Sequence, residues 1–333
     1  MRRSNILFAV AALLLGAAAP VPAYRQLPPI PAPDGGWDLT SVDPALHRLY
    51  LAHGSSILAL DTVRGTVTPM LVPAQRGHAA LAIPGTREVL STNGEAGTAT
   101  IFDGVTGKIR VTLPTGKNPD AAAYDPRTRT LWVMNPGDGS ATVIDPAAAT
   151  VLASVPIGGS LELAAADGEG HLFVNVEDRN DVAVIDTRTR RLERRFPLAG
   201  CDGPTGLAYA ADVKLLVSAC ANGRAIVSTR AGRQVASLAI GPGADGALYD
   251  NRRHVALIPS GGDGSLSVIA LGGVPRVVDR VATAKTARTA ALDETTGRIY
   301  LAAADRLPAV GKERPRAVPG SFRILTLEPT ARR

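Results

Sequence analysis

The chain has 333 residues, 45% hydrophobic and 20% charged, with 34 Gly and 25 Pro, so it is turn-rich yet has enough apolar residues for a large buried core. Two cysteines exclude a disulfide-dense mini-scaffold and any multi-cysteine zinc or iron–sulfur site. The formal net charge of +6 comes with no long basic run, which argues against a dedicated duplex-DNA binder.

Residues 1–23 read as an export signal. Arg2 and Arg3 supply the positive start, Ile6 to Ala19 is an uninterrupted apolar run, and Val21-Pro22-Ala23 is a small-x-small cleavage site. The run is shorter than the roughly 20 residues a membrane-spanning helix needs, so cleavage is favoured over retention as an anchor. The arginine pair lacks most of a twin-arginine motif, and no cysteine precedes Cys201 to carry a lipid. The leader is bacterial in style and the expected destination is periplasmic or secreted. No later apolar stretch is long enough for a transmembrane helix, so the mature chain, 24–333, is expected to be soluble and monomeric.

From residue 37 onward the chain repeats itself. A strand-like string recurs as SILALD ending at Asp61, ATIFD at Asp103, ATVID at Asp145 and VAVID at Asp186, then as AIVST, LSVIA and FRILT at Ser228, Ala270 and Thr326. The spacings are 42, 42, 41, 42, 42 and 56 residues. A second string precedes each (RLYLAH, EVLSTN, TLWVMN, HLFVNV, LLVSAC, HVALIP, RIYLAA), a third opens each unit, and a fourth follows the first six. Four short β-type runs in every 40–45 residues, with no helical period, predict an all-β, seven-bladed β-propeller with four antiparallel strands per blade. The seventh unit lacks its own fourth strand. The segment Tyr24 to Ile30 lies just before the first unit and is expected to supply it, closing the ring. Pro28 and Pro29 are tolerable there because an outermost strand need not donate on both sides.

LWVMN followed by ATVID, with the related strings above, resembles the YVTN-repeat β-propellers of bacteria. GGWDLTSVDP, CDGPTGLAY, TARTAALD and PGSFRILTL look most like the exported YncE-like members. The resemblance covers residues 24–328. It implies a seven-bladed exported propeller with an activity that is mostly unassigned, in an architecture shared with lactonases, lyases and quinoprotein dehydrogenase subunits. No catalytic motif of those enzymes maps residue by residue onto this chain.

Most recurring polar residues read as structural. Asp61, Asp103, Asp145 and Asp186 each end a strand before a tight turn, where the carboxylate accepts backbone N–H groups. Asp43, Asp125, Asp167 and Asp250 mark hairpins, and His47, His171 and His254 lie in those hairpins and are expected to be solvated. GPGADG at 241–246 matches GxGxxG, but a strand rather than a helix follows, so a blade-to-blade loop is expected instead of a dinucleotide site. There is no HExxH, GxSxG or P-loop.

One constellation stands out. Aligning the starts of the seven innermost strands puts Asp38, His78, Asp120, Glu162, Thr205, Asp245 and Thr289 in one column, followed by small or apolar residues. In a propeller this column rings the upper mouth of the axial channel. Carboxylates 4 Å apart repel by about 1–4 kcal/mol per pair, depending on local dielectric, unless a cation or donors offset them. Carboxylates with an imidazole suit a divalent metal ion, with His78, Asp120, Glu162 and Asp245 as ligands and His53, in a turn on the same face, as a second imidazole. The competing reading is that these side chains cap loop N–H groups or hold channel water.

Cys201, before the fifth blade, and Cys220, at the end of that blade's second strand, fall on the same upper face and are expected to pair. The 14-residue excess in the last unit is a Pro-rich loop, 304–321, carrying Arg306, Lys312, Arg314 and Arg316. It is either a mobile surface loop or a flap over the channel mouth. The favoured function is a ligand- or protein-binding scaffold of the cell envelope, its partner an envelope protein or small ligand. The alternative is a metal-dependent hydrolase or lyase, lactonase-like, using the axial ring. Aromatic residues are too few, at 4%, for an obvious nucleic-acid stacking platform.

Overall fold

The computed structural model describes residues 23–308 and 315–330. The proposed leader lies outside them except for its last residue, Ala23. Seven antiparallel sheets follow one another around a ring, six of them with their strands in sequential order from axis to rim. Blade 1, for example, runs Thr40–Asp43, Arg48–His53, Ser56–Asp61 and Val67–Pro73, and blade 4 runs Leu161–Ala166, His171–Val176, Asp181–Asp186 and Arg191–Pro197. The one helical element among the described residues is a single 3-10 turn, Glu177–Arg179.

The second and third strands carry the burial. In blade 3, Leu131 to Met134 and Ala141 to Ile144 are buried on both faces, because each inner sheet is sandwiched between two neighbours. The result is seven hydrophobic clusters, one between each adjacent pair of blades. Trp132 fills the cluster between blades 3 and 4, Phe173 the next, and Tyr50 with Phe102 the one between blades 1 and 2. The fourth strands are the most exposed, and those of blades 3 and 4 each bury one residue near the end, Val155 and Phe196.

Closure follows the expected route with a refinement. Blade 7 consists of Ala290–Leu292, Ile299–Ala303 and Arg323–Thr330, completed by Ala23–Gln26 pairing antiparallel with Leu327–Thr330. The closing strand therefore includes Ala23, the last residue assigned to the leader. Ile30–Pro31 makes a second short pairing with Arg323 and Ile324. Pro28 and Pro29 fall in the unpaired gap between these two contacts, where no backbone donor is required.

The turn aspartates behave as the sequence predicts. Asp61, Asp103, Asp145 and Asp186 each accept two successive backbone N–H groups at 2.7–3.0 Å. Asp43, Asp125, Asp167 and Asp250 do the same in the first hairpins. His47 and His254 occupy the left-handed position that ends such a hairpin (φ 52° and 54°). His171 and His254 are not simply solvated: His171 Nδ1 lies 3.0 Å from Asp167, and His254 Nδ1 bonds Asp212. GPGADG forms the blade 5–blade 6 connection, as expected of a loop.

Cys201 and Cys220 form a disulfide with Cα atoms 5.5 Å apart. It pins the loop leading into blade 5 to that blade's second strand. Closing a loop of this length contributes about 3 kcal/mol in the chain-entropy view. The double substitution Cys201→Ser/Cys220→Ser is expected to lower unfolding free energy by about that amount, read from urea midpoints. An unchanged midpoint would show that the bridge carries no stability.

Candidate functional site

The innermost strands start at the upper mouth of the channel, and cross-blade hydrogen bonds fix where each starts. Leu39 N–H donates to His78 O at 2.9 Å, Thr205 Oγ1 to Ala244 O at 3.0 Å, and Thr92 Oγ1 to Asp120 O at 2.8 Å. These contacts turn a one-dimensional column of residues into a ring.

Within it, Asp38, His78 and Asp120 converge. His78 Nδ1 lies 2.8 Å from Asp38 Oδ2 and 3.9 Å from Asp120 Oδ2, and one ligand atom from each residue falls within 4.8 Å of the other two. Space for the imidazole comes from Gly94: a Cβ there would sit 2.8 Å from His78 Nε2. That Nε2 is buried without a hydrogen-bond partner. Glu162 and Asp245 extend the acidic arc, while Thr205 is buried and spends its hydroxyl on Ala244.

The register of blade 7 differs from the sequence alignment by one residue. In blades 1, 3, 4 and 6 the first-hairpin aspartate follows the ring residue by five positions: Asp43 after Asp38, Asp125 after Asp120, Asp167 after Glu162, Asp250 after Asp245. In blade 7 Asp293 N–H bonds Arg298 O, the equivalent hairpin closure, so the ring position belongs to Arg288. Thr289 is one step further in, 1% exposed, and donates to Asp38 O at 3.0 Å. Arg288 Nε lies 2.9 Å from Asp245 Oδ2 and its Nη2 4.0 Å from Asp38 Oδ1. It is the ring's built-in cation. Counting back from Asp293 would have found it.

His53 stands elsewhere. Its ring packs 4.8 Å from that of Phe322 and directly over Gly35, whose Cβ would lie 2.4 Å from the imidazole. Burial holds its pKa below the ordinary histidine value. The converging group comprises Asp38, His78 and Asp120, without His53.

The charges are unevenly balanced. Burial, then the charge of Asp38, pushes Asp120 up to about 6. Burial, then Asp120, Asp245, Glu177 and Asp38, pushes Glu162 up to about 9. Burial also raises Asp245, against the opposing pull of Arg288. The hydrogen bond to Asp38 raises His78, against burial. Glu177 is a contributor that sequence alignment misses, because it sits on the 3-10 turn of blade 4, outside the repeat. The ring is thus an electrostatically strained set of oxygen donors with one imidazole, which a divalent cation would relieve.

Beneath the ring the channel narrows to a cavity of about 110 Å3 walled by small side chains such as Ala79, Ala121, Ala164 and Ala290. The described stems of the 304–321 loop pack against the segment that precedes blade 1. Arg306 stacks on Trp37 at 5.3 Å, and Gly320 N–H donates to Asp34 at 2.6 Å, tying the loop to the segment just before blade 1. Lys312 and Arg314 lie outside the described residues. No described helix is long and apolar enough to cross a membrane.

No family model and no curated protein matches the chain. Among solved structures it is similar to hydrazine synthase of Kuenenia stuttgartiensis, with a TM-score of 0.66 and 15% identity over 88% of this chain and 96% of that one. It is also similar to a chain of a mitotic checkpoint complex, with a TM-score of 0.70 and 14% identity over 91% and 95%. At these identities the likeness is one of fold, and propellers host many unrelated tasks.

Proposed function

We propose that the chain is an exported propeller of the YVTN-repeat, YncE-like kind that serves as a binding module of the bacterial cell envelope, with a divalent-cation site at the upper channel mouth. The observation that carries this reading is the convergence of Asp38, His78 and Asp120 within 4.8 Å, inside a ring that holds more carboxylates than cations. Glu162 and Asp245 are the nearby carboxylates available to complete a shell of oxygen ligands. Support for export comes from the leader pattern of residues 1–23 and from the disulfide, which persists in oxidising compartments. A monomer of residues 24–333, with a small ligand or an envelope protein as partner, fits this reading.

Binding is favoured over hydrolase or lyase chemistry by the space available. A substrate pocket usually encloses about 300–1,000 Å3, whereas the channel cavity under the ring is about 110 Å3. Calorimetric titration with Ca, Mg, Mn and Zn is expected to give saturable heat for at least one of them, with Asp120→Asn weakening it at least tenfold, about 1.4 kcal/mol. No heat with any of these ions would remove the cation site. Turnover of a lactone that a chelator abolishes would favour the enzymatic reading instead.

A further inference from the structure

The lower face, opposite the ring, carries a large cleft whose walls break the pattern of the repeat. Five blades place Asp at the start of the first hairpin: Asp43, Asp125, Asp167, Asp250 and Asp293. Blade 2 places Ile83 there, 2% exposed, followed by Pro84, and Thr86 closes the turn by bonding Ile83 O and the Glu88 N–H. The neighbouring hairpin of blade 1 continues from its aspartate as Pro44-Ala45-Leu46, where blade 3 has Pro126-Arg127-Thr128 and blade 6 Asn251-Arg252-Arg253. Two adjacent apolar hairpins therefore face each other, and between them and Leu292 lies a cleft of about 670 Å3. That volume lies within the range of small-ligand sites, and convergent apolar walls with few charges are their usual character.

Three charged residues line the cleft. Asp43 is 7% exposed and spends its carboxylate on the N–H groups of Ala45 and Leu46. Arg87 is already engaged, 3.2 Å from Asp103. Glu294 has no partner for its carboxylate among the described residues; only its backbone oxygen is used, by Arg252. Glu294, Val42 and Leu292 also line a second, smaller cavity of about 330 Å3 that continues to Tyr209 and Tyr249 at the lower end of the channel. The free charge thus stands where the two spaces meet.

We propose that this lower-face cleft binds a small amphipathic amine, its apolar body held between Leu46, Ile83, Pro84 and Leu292 and its ammonium group paired with Glu294. The site is separate from the acidic ring and does not depend on it. Dansylcadaverine, an apolar fluorophore on a primary-amine tail, is a suitable probe, with the anionic dansylglycine as its counterpart. Titration of the full chain is expected to show saturable fluorescence enhancement with dansylcadaverine and at least tenfold weaker binding of dansylglycine. Glu294→Gln should weaken the amine at least tenfold, and Ala45→Trp, which fills the cleft from an exposed hairpin position, should abolish the enhancement. Both substitutions are on the surface, and an unchanged melting temperature confirms the fold. Glu162→Gln in the ring should leave binding unaltered. Absence of saturable binding, equal binding of the two probes, insensitivity to both cleft substitutions, or loss of binding in Glu162→Gln would each overturn the assignment.

Discussion

Raising the pH from 5 to 9 in the presence of a chelator is expected to lower the urea midpoint of unfolding, and Glu162→Gln is expected to remove most of that fall. In the folded chain Glu162 holds its proton to about pH 9 and Asp120 to about pH 6, burial being the first cause in each case. In the unfolded chain both ionise near pH 4. Between those limits the native state carries protons that the unfolded state has lost, so stability falls as pH rises. Asp120 contributes up to about pH 6 and Glu162 to about pH 9, and Asp245, also raised by burial, acts in the same direction. His78, whose pKa is also raised, acts with the same sign. The turn aspartates Asp61, Asp103 and Asp186 have lowered values, so their contribution is lost in acid, below this window. One proton of difference is worth about 1.4 kcal/mol per pH unit; discounted for the partial exposure of the ring, the total is about 2–4 kcal/mol. The substituted glutamine keeps the neutral shape that Glu162 has at pH 5 and loses nothing at pH 9. A divalent cation bound to the ring would oppose the trend, more strongly at high pH, by mass action. A flat or rising midpoint between pH 5 and 9, or an equal fall in Glu162→Gln, would contradict the charge imbalance on which the proposed function rests.

The sequence discloses the architecture because seven copies add up weak signals. Any one of SILALD, ATIFD or VAVID is only a short apolar run, but their regular spacing separates a propeller from a sandwich. Turn aspartates are equally legible, since their chemistry is local: each carboxylate bonds residues two and three positions on. The disulfide could be placed because both cysteines belong to one blade. What stays hidden depends on residues far apart in the chain. His53 looks like a surface turn histidine until Phe322, from the last blade, closes over it. Arg288 is a different case: it drops out of the ring column if TARTAALD is aligned on its alanines, a slip that counting five residues back from Asp293 corrects. Glu177 acts on Glu162 across a turn that no repeat predicts. The lower-face cleft is written in the sequence as two apolar hairpins, but only the ring makes blades 7, 1 and 2 neighbours around it.

Deleting residues 23–31 is expected to cost more stability than any point substitution. This segment closes the ring through blade 7, and the closure is non-covalent. Ala23–Gln26 pairs with Leu327–Thr330, and Ile30–Pro31 with Ile324 and Arg323. Tyr24 packs into the cluster between blades 6 and 7, and Ile30 into the one between blades 7 and 1, so the same short peptide seals both flanks of the last blade. Arg25 adds an ion pair to Glu328 at 2.7 Å, a residue that Arg298 also holds from just before the second strand. Tyr24 and Ile30 are half-buried, and their packing accounts for about 2–3 kcal/mol. Their loss also leaves the eight-residue strand Arg323–Thr330 as an open edge over the buried Ile324 and Leu327, a template for pairing with another chain. The deletion variant should therefore unfold at lower urea and elute partly as oligomers from a sizing column. A permuted chain in which a flexible linker carries residues 23–31 after Thr330 should recover the wild-type midpoint, since it restores the same pairing covalently. Equal midpoints for the intact and deleted chains would mean that the ring does not depend on this strand. Failure of the permuted chain to recover would mean that residues 23–31 act through something other than their pairing with Arg323–Thr330.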